Sequence, residues 1–487
     1  MLGAVVTGAS QLFAASVTTT EPGMVESLLK NQTDVTTLTV AGPVDASDLY
    51  FMGLDLKSLT MLDLSGATVV AYNGPRLFGK TVYPEATIPQ GAFAGSPVTD
   101  IVFPTQEGLK IGDVAFMGSA LAAVTFPANV VSVGMGAFAA CDALAYVQLP
   151  SCEMGSAVFE NCMGLVTASV TGRTTLPDAT FRACTSLTSV EGADGLTSIG
   201  ASAFEGDRSL TGFAFGPKLT YVGKSAFAST GLTGIDLNRS KGLNNIGEQV
   251  FAQTDAISVA LHDDIESIDH SAFFDNAGLT AIELPANLST LGGMALVGTP
   301  LDEIALPSGL EEIGDYALKG QNKIATLKLP EALVYIGDYG MADMTGLQSI
   351  DAAALPEIPE LGENVWDGVE QDKVTLQVAN DSPMFEDAPQ WQNFIVERPT
   401  GVDDITGDVA GQPDVRGRFV GTELQIESDG PYIDTVRLYD TAGRLVLMTQ
   451  PDAPAAYIET ADVPGRVFIV SIALENNSNA TLKLARR

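Results

Sequence analysis

Between Ile88 and about Asp351 one unit recurs: a branched residue and glycine, then Ala-Phe, then Leu-x-x-Val/Ile-x-Leu/Phe-Pro. Clear copies are IGDVAFMGSALAAVTFP at 111–127, VGMGAFAACDALAYVQLP at 133–150 and IGASAFEGDRSLTGFAF at 199–215. The aromatic position falls at Phe93, Phe116, Phe138, Phe159, Phe181, Phe204, Phe227, Phe251 and Phe273, and Leu296, Leu318 and Met341 continue its register. The steps are 23, 22, 21, 22, 23, 23, 24, 22, 23, 22 and 23 residues. A unit this small cannot bury its own apolar side chains, so it must stack on its neighbours. That requirement leaves a solenoid and excludes a pocketed globule.

The end of the unit alternates inward and outward as a strand does, so stacked copies form a parallel sheet on one face. The phenylalanines become a ladder inside the coil, each ring stabilising it by ~1.5–3 kcal/mol. The recurrent glycine, at 112, 134, 155, 200, 223 and 247, is expected to permit a tight turn. The proline after the strand, at 104, 127, 150, 285, 307 and 330, is expected to stop pairing at the sheet edge. Cys141, Cys162 and Cys184 each follow a repeat phenylalanine by three residues, so they share one place in successive coils. They read as buried small hydrophobes, with a bridge between neighbouring coils as the alternative.

With 25 basic residues against 60 acidic ones the net charge is −35, which disfavours nucleic acid and anionic membrane surfaces and favours cationic partners. The first twenty residues carry no charge, and Leu2 to Ala15 are mostly apolar or small, as in the core of a secretory signal, with Ala14, Ala15 and Ser16 near a cleavage point. The basic leader that normally precedes such a core is missing. No other stretch is long and apolar enough for a transmembrane span.

On the unit IGxxAFxxC…Lxx[VI]xLP the sequence resembles the BspA-type leucine-rich repeat of bacterial surface proteins, strongly over about 88–351. Residues 36–72 are similar to the N-terminal capping segment of such proteins, and 373–397 to the closing segment, with Trp391 and Phe394 covering the last coil. After Val396 the periodicity ends, and from about Arg418 short alternating runs, with DTAG at 440–443 as a hairpin turn, indicate an antiparallel β-sandwich. VRLYDTAGRLV, VPGRVFIVSI and the terminal TLKLARR resemble the sorting domain of the type IX secretion system of Bacteroidetes. By that likeness Asp440, Gly443, Arg444, Gly465 and Lys483 match the recurring motif positions, and secretion machinery acts through this domain; a stalk sandwich with no sorting role is the alternative.

The expected fold is thus a leucine-rich-repeat solenoid of about twelve coils of 22–24 residues plus a small C-terminal sandwich. Its expected parts are a signal segment at 1–16, an N-terminal cap with irregular repeats at 17–87, the solenoid at 88–372, a cap at 373–398, a linker at 399–417 and the sandwich at 418–487.

No catalytic, cofactor-binding or metal-binding residue is assigned, and no cofactor is expected. His262 and His270 stand among Asp263, Asp264 and Asp269, which reads as a surface turn before it reads as an acid–base site. Asp113, Asp315 and Asp338 follow the repeat glycine; the latter two are neighbours that a cation could bridge, but solvated turns explain them better. The outward strand positions give the candidate binding face: Thr125, Tyr146, Gln148, Glu191, Asp236, Glu283, Glu303 and Lys328. Tyr146 is the one aromatic among the outward positions, so a broad or multivalent contact is expected. The reading is a monomeric, non-enzymatic protein, secreted or displayed on the outer membrane, that binds an extracellular protein or host-cell ligand in adhesion. The alternative is a surface glycan-binding or nutrient-handling protein, or an unrecognised hydrolase.

Overall fold

The computed structural model describes residues 13–29, 32–379, 385–398, 415–420, 422–428, 432–439, 444–461, 463, 467–475 and 479–485. The chain divides into two compact units, 1–398 and 399–487.

The first unit is a solenoid of about 16 turns. Each regular coil has three segments. The Leu-x-x-Val-x-Leu segment forms the first parallel sheet, in which Tyr146–Gln148, Thr167–Ser169 and Ser189–Glu191 pair in register. The branched residue before the repeat glycine is also a strand, so a second parallel sheet runs beside the first. Ile88, Ile111, Val133 and Met154 occupy equivalent places in it, as do Ile246, Ile268, Leu291, Ile313, Ile336 and Leu361. A single sheet was the expectation, and the second escapes it because its strands are only a few residues long. The proline marks the corner between the sheets: the carbonyls of Pro127, Pro285, Pro307 and Pro330 each accept the N–H three residues on.

The Ala-Phe segment closes the coil. Phe93 through Phe273 are fully buried, with successive ring centroids 5.1–5.9 Å apart and planes within 22° of parallel. Leu296, Leu318 and Met341 extend this spine, and Trp366, Trp391 and Phe394 finish it, the tryptophan rings edge-on at 5.1 Å.

The repeat glycine does not serve as a turn. A Cβ on Gly134, Gly200 or Gly223 would lie 2.5 Å from backbone of the preceding coil, so glycine is there for close approach. The left-handed positions lie two and six residues later; glycine fills some, such as Gly118 and Gly136, and ordinary residues fill others, for example Val114 (φ 48°) and Ala140 (φ 55°). Their cost of roughly 1–2 kcal/mol each is carried by coil-to-coil hydrogen bonds such as Val114 N–H to Met135 O at 2.8 Å and Ala140 N–H to Glu160 O at 2.7 Å.

Ala14–Thr18 is a strand paired with Thr37–Val44, so the residues assigned to the end of a signal segment belong to the first coil. Residues 1–12 lie outside the described residues. Both expected caps contribute strands to the first sheet: Met61–Val69 at the start, Thr375–Gln377 and Ile395–Glu397 at the end. The second unit is the expected sandwich. A three-stranded antiparallel sheet (Val415–Val420, Glu423–Ser428, Ala455–Glu459) faces a four-stranded one (Leu445–Thr449, Ile433–Tyr439, Val467–Leu474, Asn479–Ala485) across one core that includes Leu424, Ile426, Val436, Leu438, Phe468 and Ile472. Its first strand begins at Val415, inside the segment expected to be linker.

The place three residues after the spine is a buried polar ladder. The thiols of Cys141, Cys162 and Cys184 are free and donate to the carbonyls of Phe116, Phe138 and Phe159 at 3.1–3.2 Å. Burial pushes the Cys141 thiol up to about 12. Asn276 and Gln321 make the same bond to Phe251 O and Leu296 O, at 2.9 and 2.8 Å. Asp207 is the odd member. Fully buried, it accepts from Cys184 N–H at 2.7 Å with Oδ1, whereas Oδ2 has no partner among the described residues. Burial raises its pKa well above the ordinary value, and only the neutral acid supplies the donor that this ladder calls for.

Two predictions follow from this packing. Phe159→Ala should cost ~3–5 kcal/mol in chemical denaturation, because a cavity opens in the middle of the stack. Asp207 with a raised folded-state pKa contributes stability that is present below about pH 4 and lost as pH rises through the folded value. Asp207→Asn should therefore stabilise the protein at neutral pH by ~1–3 kcal/mol and flatten that pH dependence, read by denaturant titrations at pH 5 and 7.5.

Candidate functional site: a groove at the corner of the two sheets

The groove follows from the alternation of each strand. In coils 122–133 and 145–154 the outward residues of the first sheet, Ala123, Thr125, Tyr146 and Gln148, and those of the second, Lys110, Ser132 and Glu153, line one depression of about 1100 Å³. Its floor is the corner itself, Phe126, Pro127, Leu149 and Pro150. Small side chains at Ala122, Ala123, Ala128 and Ala145 keep it open. The Tyr146 ring is 48% exposed and Val131 44%, so the groove presents apolar surface flanked by an ammonium, a carboxylate, an amide and a hydroxyl.

Side chains clamp the corner on both sides. Asn129 donates from Nδ2 to the carbonyls of Pro104 (2.9 Å) and Gln106 (2.6 Å) in the preceding coil. Arg173 donates from Nη1 to those of Pro150 (2.6 Å) and Cys152 (3.1 Å). Half-burial lowers the Arg173 pKa, with Cys152 acting in the opposite sense, and burial raises that of the Cys152 thiol. Arg173 also spans a break in the second sheet, where Glu153–Met154 and Thr175–Leu176 are not paired and Pro177 stands in the repeat-glycine position without an N–H.

The structure brings three of the eight outward candidates, Thr125, Tyr146 and Gln148, into this groove. Glu191, Asp236, Glu283, Glu303 and Lys328 are all exposed but distributed along the first sheet, and Lys328 lies 3.9 Å from Asp351 in the next coil. Lys110, Ser132 and Glu153 were missed, because they belong to the second sheet and nothing in the repeat marks them as facing the first. Ser169, outward by alternation, is buried and donates to Thr171 Oγ1 at 3.1 Å.

The histidines occupy unlike surroundings. His262 stands at the corner place that proline holds in other coils; it is buried, neither ring nitrogen has a hydrogen-bond partner among the described residues, and Nδ1 lies 3.6 Å from Asp264 Oδ2. His270 is exposed. The aspartates after the repeat glycine are coil-to-coil caps: Asp113, Asp178, Asp315 and Asp338 accept the backbone N–H of Met135, Ala201, Asp338 and Glu363 at 2.6–2.9 Å. Solvated turns and a shared cation were the two readings for Asp315 and Asp338, and backbone capping accounts for their placement. Of the sorting-type positions, Asp440, Gly443 and Gly465 lie outside the described residues, as does the side chain of Lys483; Arg444 is exposed at the start of the Leu445–Thr449 strand.

A family model described as BspA type Leucine rich repeat region matches six copies across residues 86–176, 153–276 and 244–370, more than half of the 487 residues. No curated protein matches the sequence. Among solved structures, a leucine-rich repeat protein from Bacteroides ovatus ATCC 8483 is similar at 17% identity and a TM-score of 0.49, over 82% of this chain and 91% of its own. A leucine rich cell surface protein from Faecalibacterium prausnitzii A2-165 is similar at 20% identity and a TM-score of 0.38, over 58% of this chain and 85% of its own.

Proposed function

The chain belongs to the family of BspA-type leucine-rich-repeat proteins, and from that premise we propose that it is a non-enzymatic binding protein, secreted or displayed at the cell surface, whose solenoid engages an extracellular protein in adhesion. The groove around Tyr146 carries this reading. It combines an exposed aromatic ring with hydrogen-bonding groups of both kinds on a rigid two-sheet corner, the composition that concentrates binding energy at protein interfaces. The rest of the outward first-sheet face adds polar, exposed contacts over many coils, suited to an extended or multivalent partner. The acidic excess favours a basic partner.

A non-catalytic role accords with how the acids are used, since the aspartates that punctuate the coils hold backbone N–H groups and His262 is sealed from solvent. The C-terminal unit acts as the sorting element that delivers the solenoid through the type IX machinery. Among the described residues no helix is long and apolar enough to cross a membrane.

Surface plasmon resonance of the full chain against a panel of extracellular-matrix and host-cell proteins tests this reading. At least one should bind, and Tyr146→Ala should weaken it by about tenfold while Glu283→Ala changes it less than threefold. Silence across the panel, or equal effects of the two substitutions, would overturn the assignment.

A further inference from the structure

The second sheet is broken again between Tyr221–Val222 and Asn245–Ile246, and this break has no plug. In intact coils the repeat-glycine N–H donates to the strand carbonyl of the coil before it, as Gly200 does to Leu176, Gly223 to Ile199 and Gly292 to Ile268, at 2.7–2.9 Å. Among the described residues no such bond joins Gly247 to Val222, although Gly247, unlike Pro177 at the other break, has an N–H to give. The coils stand apart here: a Cβ on Gly247 would meet nothing nearer than 3.4 Å, against 2.5 Å at Gly223. No arginine fills the gap, and a cavity of about 400 Å³ remains.

We infer that this break is a binding site for a neutral sugar residue. The Tyr221 ring, 55% exposed at the rim, offers an apolar face for the C–H side of a pyranose. Asn244 places an amide, both donor and acceptor, on the wall, Asn245 offers its amide oxygen as an acceptor, and Asp269 adds another. Asn245 is held in place by donating from Nδ2 to Asp269 Oδ1 at 2.8 Å and to Ser267 Oγ, so its remaining acceptor is pre-oriented. Hydroxyl groups, which donate and accept in turn, are the chemistry that satisfies such a set. Charge argues for a neutral ligand: Lys224 is matched by Glu248 at 2.7 Å, and the carboxylate of Asp269 together with the −35 net charge repels anions. The volume suits one or two sugar rings. The site lies on the second sheet, in coils other than those of the Tyr146 groove, and does not depend on that groove's role.

The test is a glycan array probed with the full chain, followed by calorimetric titration of the strongest neutral saccharide into wild type, Tyr221→Ala and Tyr146→Ala. Tyr221 is exposed, so its removal should leave thermal unfolding unchanged. Affinity should fall about tenfold in Tyr221→Ala and stay within threefold in Tyr146→Ala. Absence of any neutral saccharide binder, a loss under threefold in Tyr221→Ala, or an equal loss in Tyr146→Ala overturns the inference. Loss of protein binding in the adhesion panel would leave this result untouched, so the two readings fail separately.

Discussion

Every coil is held to one cross-section by the aromatic spine. An aromatic side chain at a fixed point of each turn is buried chiefly against the same side chain of its neighbours, so a coil that lengthened or rotated would leave its ring facing a gap. The stack is offset as well as parallel: centroid separations of 5.1–5.9 Å exceed the ~4.8 Å between strands, which is the arrangement ring quadrupoles favour over a face-to-face sandwich. Near the C-terminal end the spine changes from phenylalanine to leucine and methionine, then to Trp366 and Trp391. Trp366 packs edge to face with both Trp391 and Phe394, at 5.1 Å each, so the parallel stacking of the spine ends at these rings.

Holding the backbone so tightly has a steric consequence that the rest of the coil absorbs. Adjacent coils approach until the repeat glycine touches backbone, and each coil passes through left-handed positions that glycine fills in some coils and ordinary residues in others. Val114, Tyr316 and Tyr339 all adopt positive φ, at 48°, 59° and 54°, an unfavourable conformation for branched or bulky side chains. It persists because the same segment donates its N–H groups into the next coil. Tyr316 and Tyr339 also stack at 5.0 Å beneath Lys319, so the strained positions gain packing of their own.

What could be read from the residues divides along this line. Features that recur as side-chain identity were legible: the spine, the first sheet with its outward row, and the shared cysteine position. Features that recur only as backbone geometry were not. The second sheet presents Lys110, Ser132, Glu153, Thr175, Ser198 and Tyr221 outward in succession, with no common chemistry to betray a row. The left-handed positions accept valine, alanine, serine and tyrosine, so their spacing is invisible until φ is known. Half of the groove was legible for the same reason. Strand alternation marks Tyr146 and Gln148 as outward, but that Glu153 turns back beside them depends on the angle between two sheets.

The basic residues show how this molecule uses charge. Many of them are committed to links between coils: Arg182 reaches Glu160 on one side and Glu205 on the other, at 3.3 and 3.2 Å, while Lys224 meets Glu248, Lys323 meets Asp302 and Lys319 meets Asp343. These pairs are exposed and each contributes only ~0–1 kcal/mol, so their effect on stability is small. Their effect on the field is larger. These cations neutralise acids locally, and the chain as a whole keeps an excess of 60 acidic over 25 basic residues. Within a Debye length of ~8 Å at physiological salt, such an acidic excess slows the approach of acidic partners and speeds that of basic ones. Under the proposed binding role, docking specificity then falls to the few places where the repeat relaxes and the surface departs from a uniform row. The corner between the Asn129 and Arg173 clamps and the unplugged break beside Tyr221 are two such places, and each pairs an exposed ring with amide and hydroxyl groups as well as charged ones.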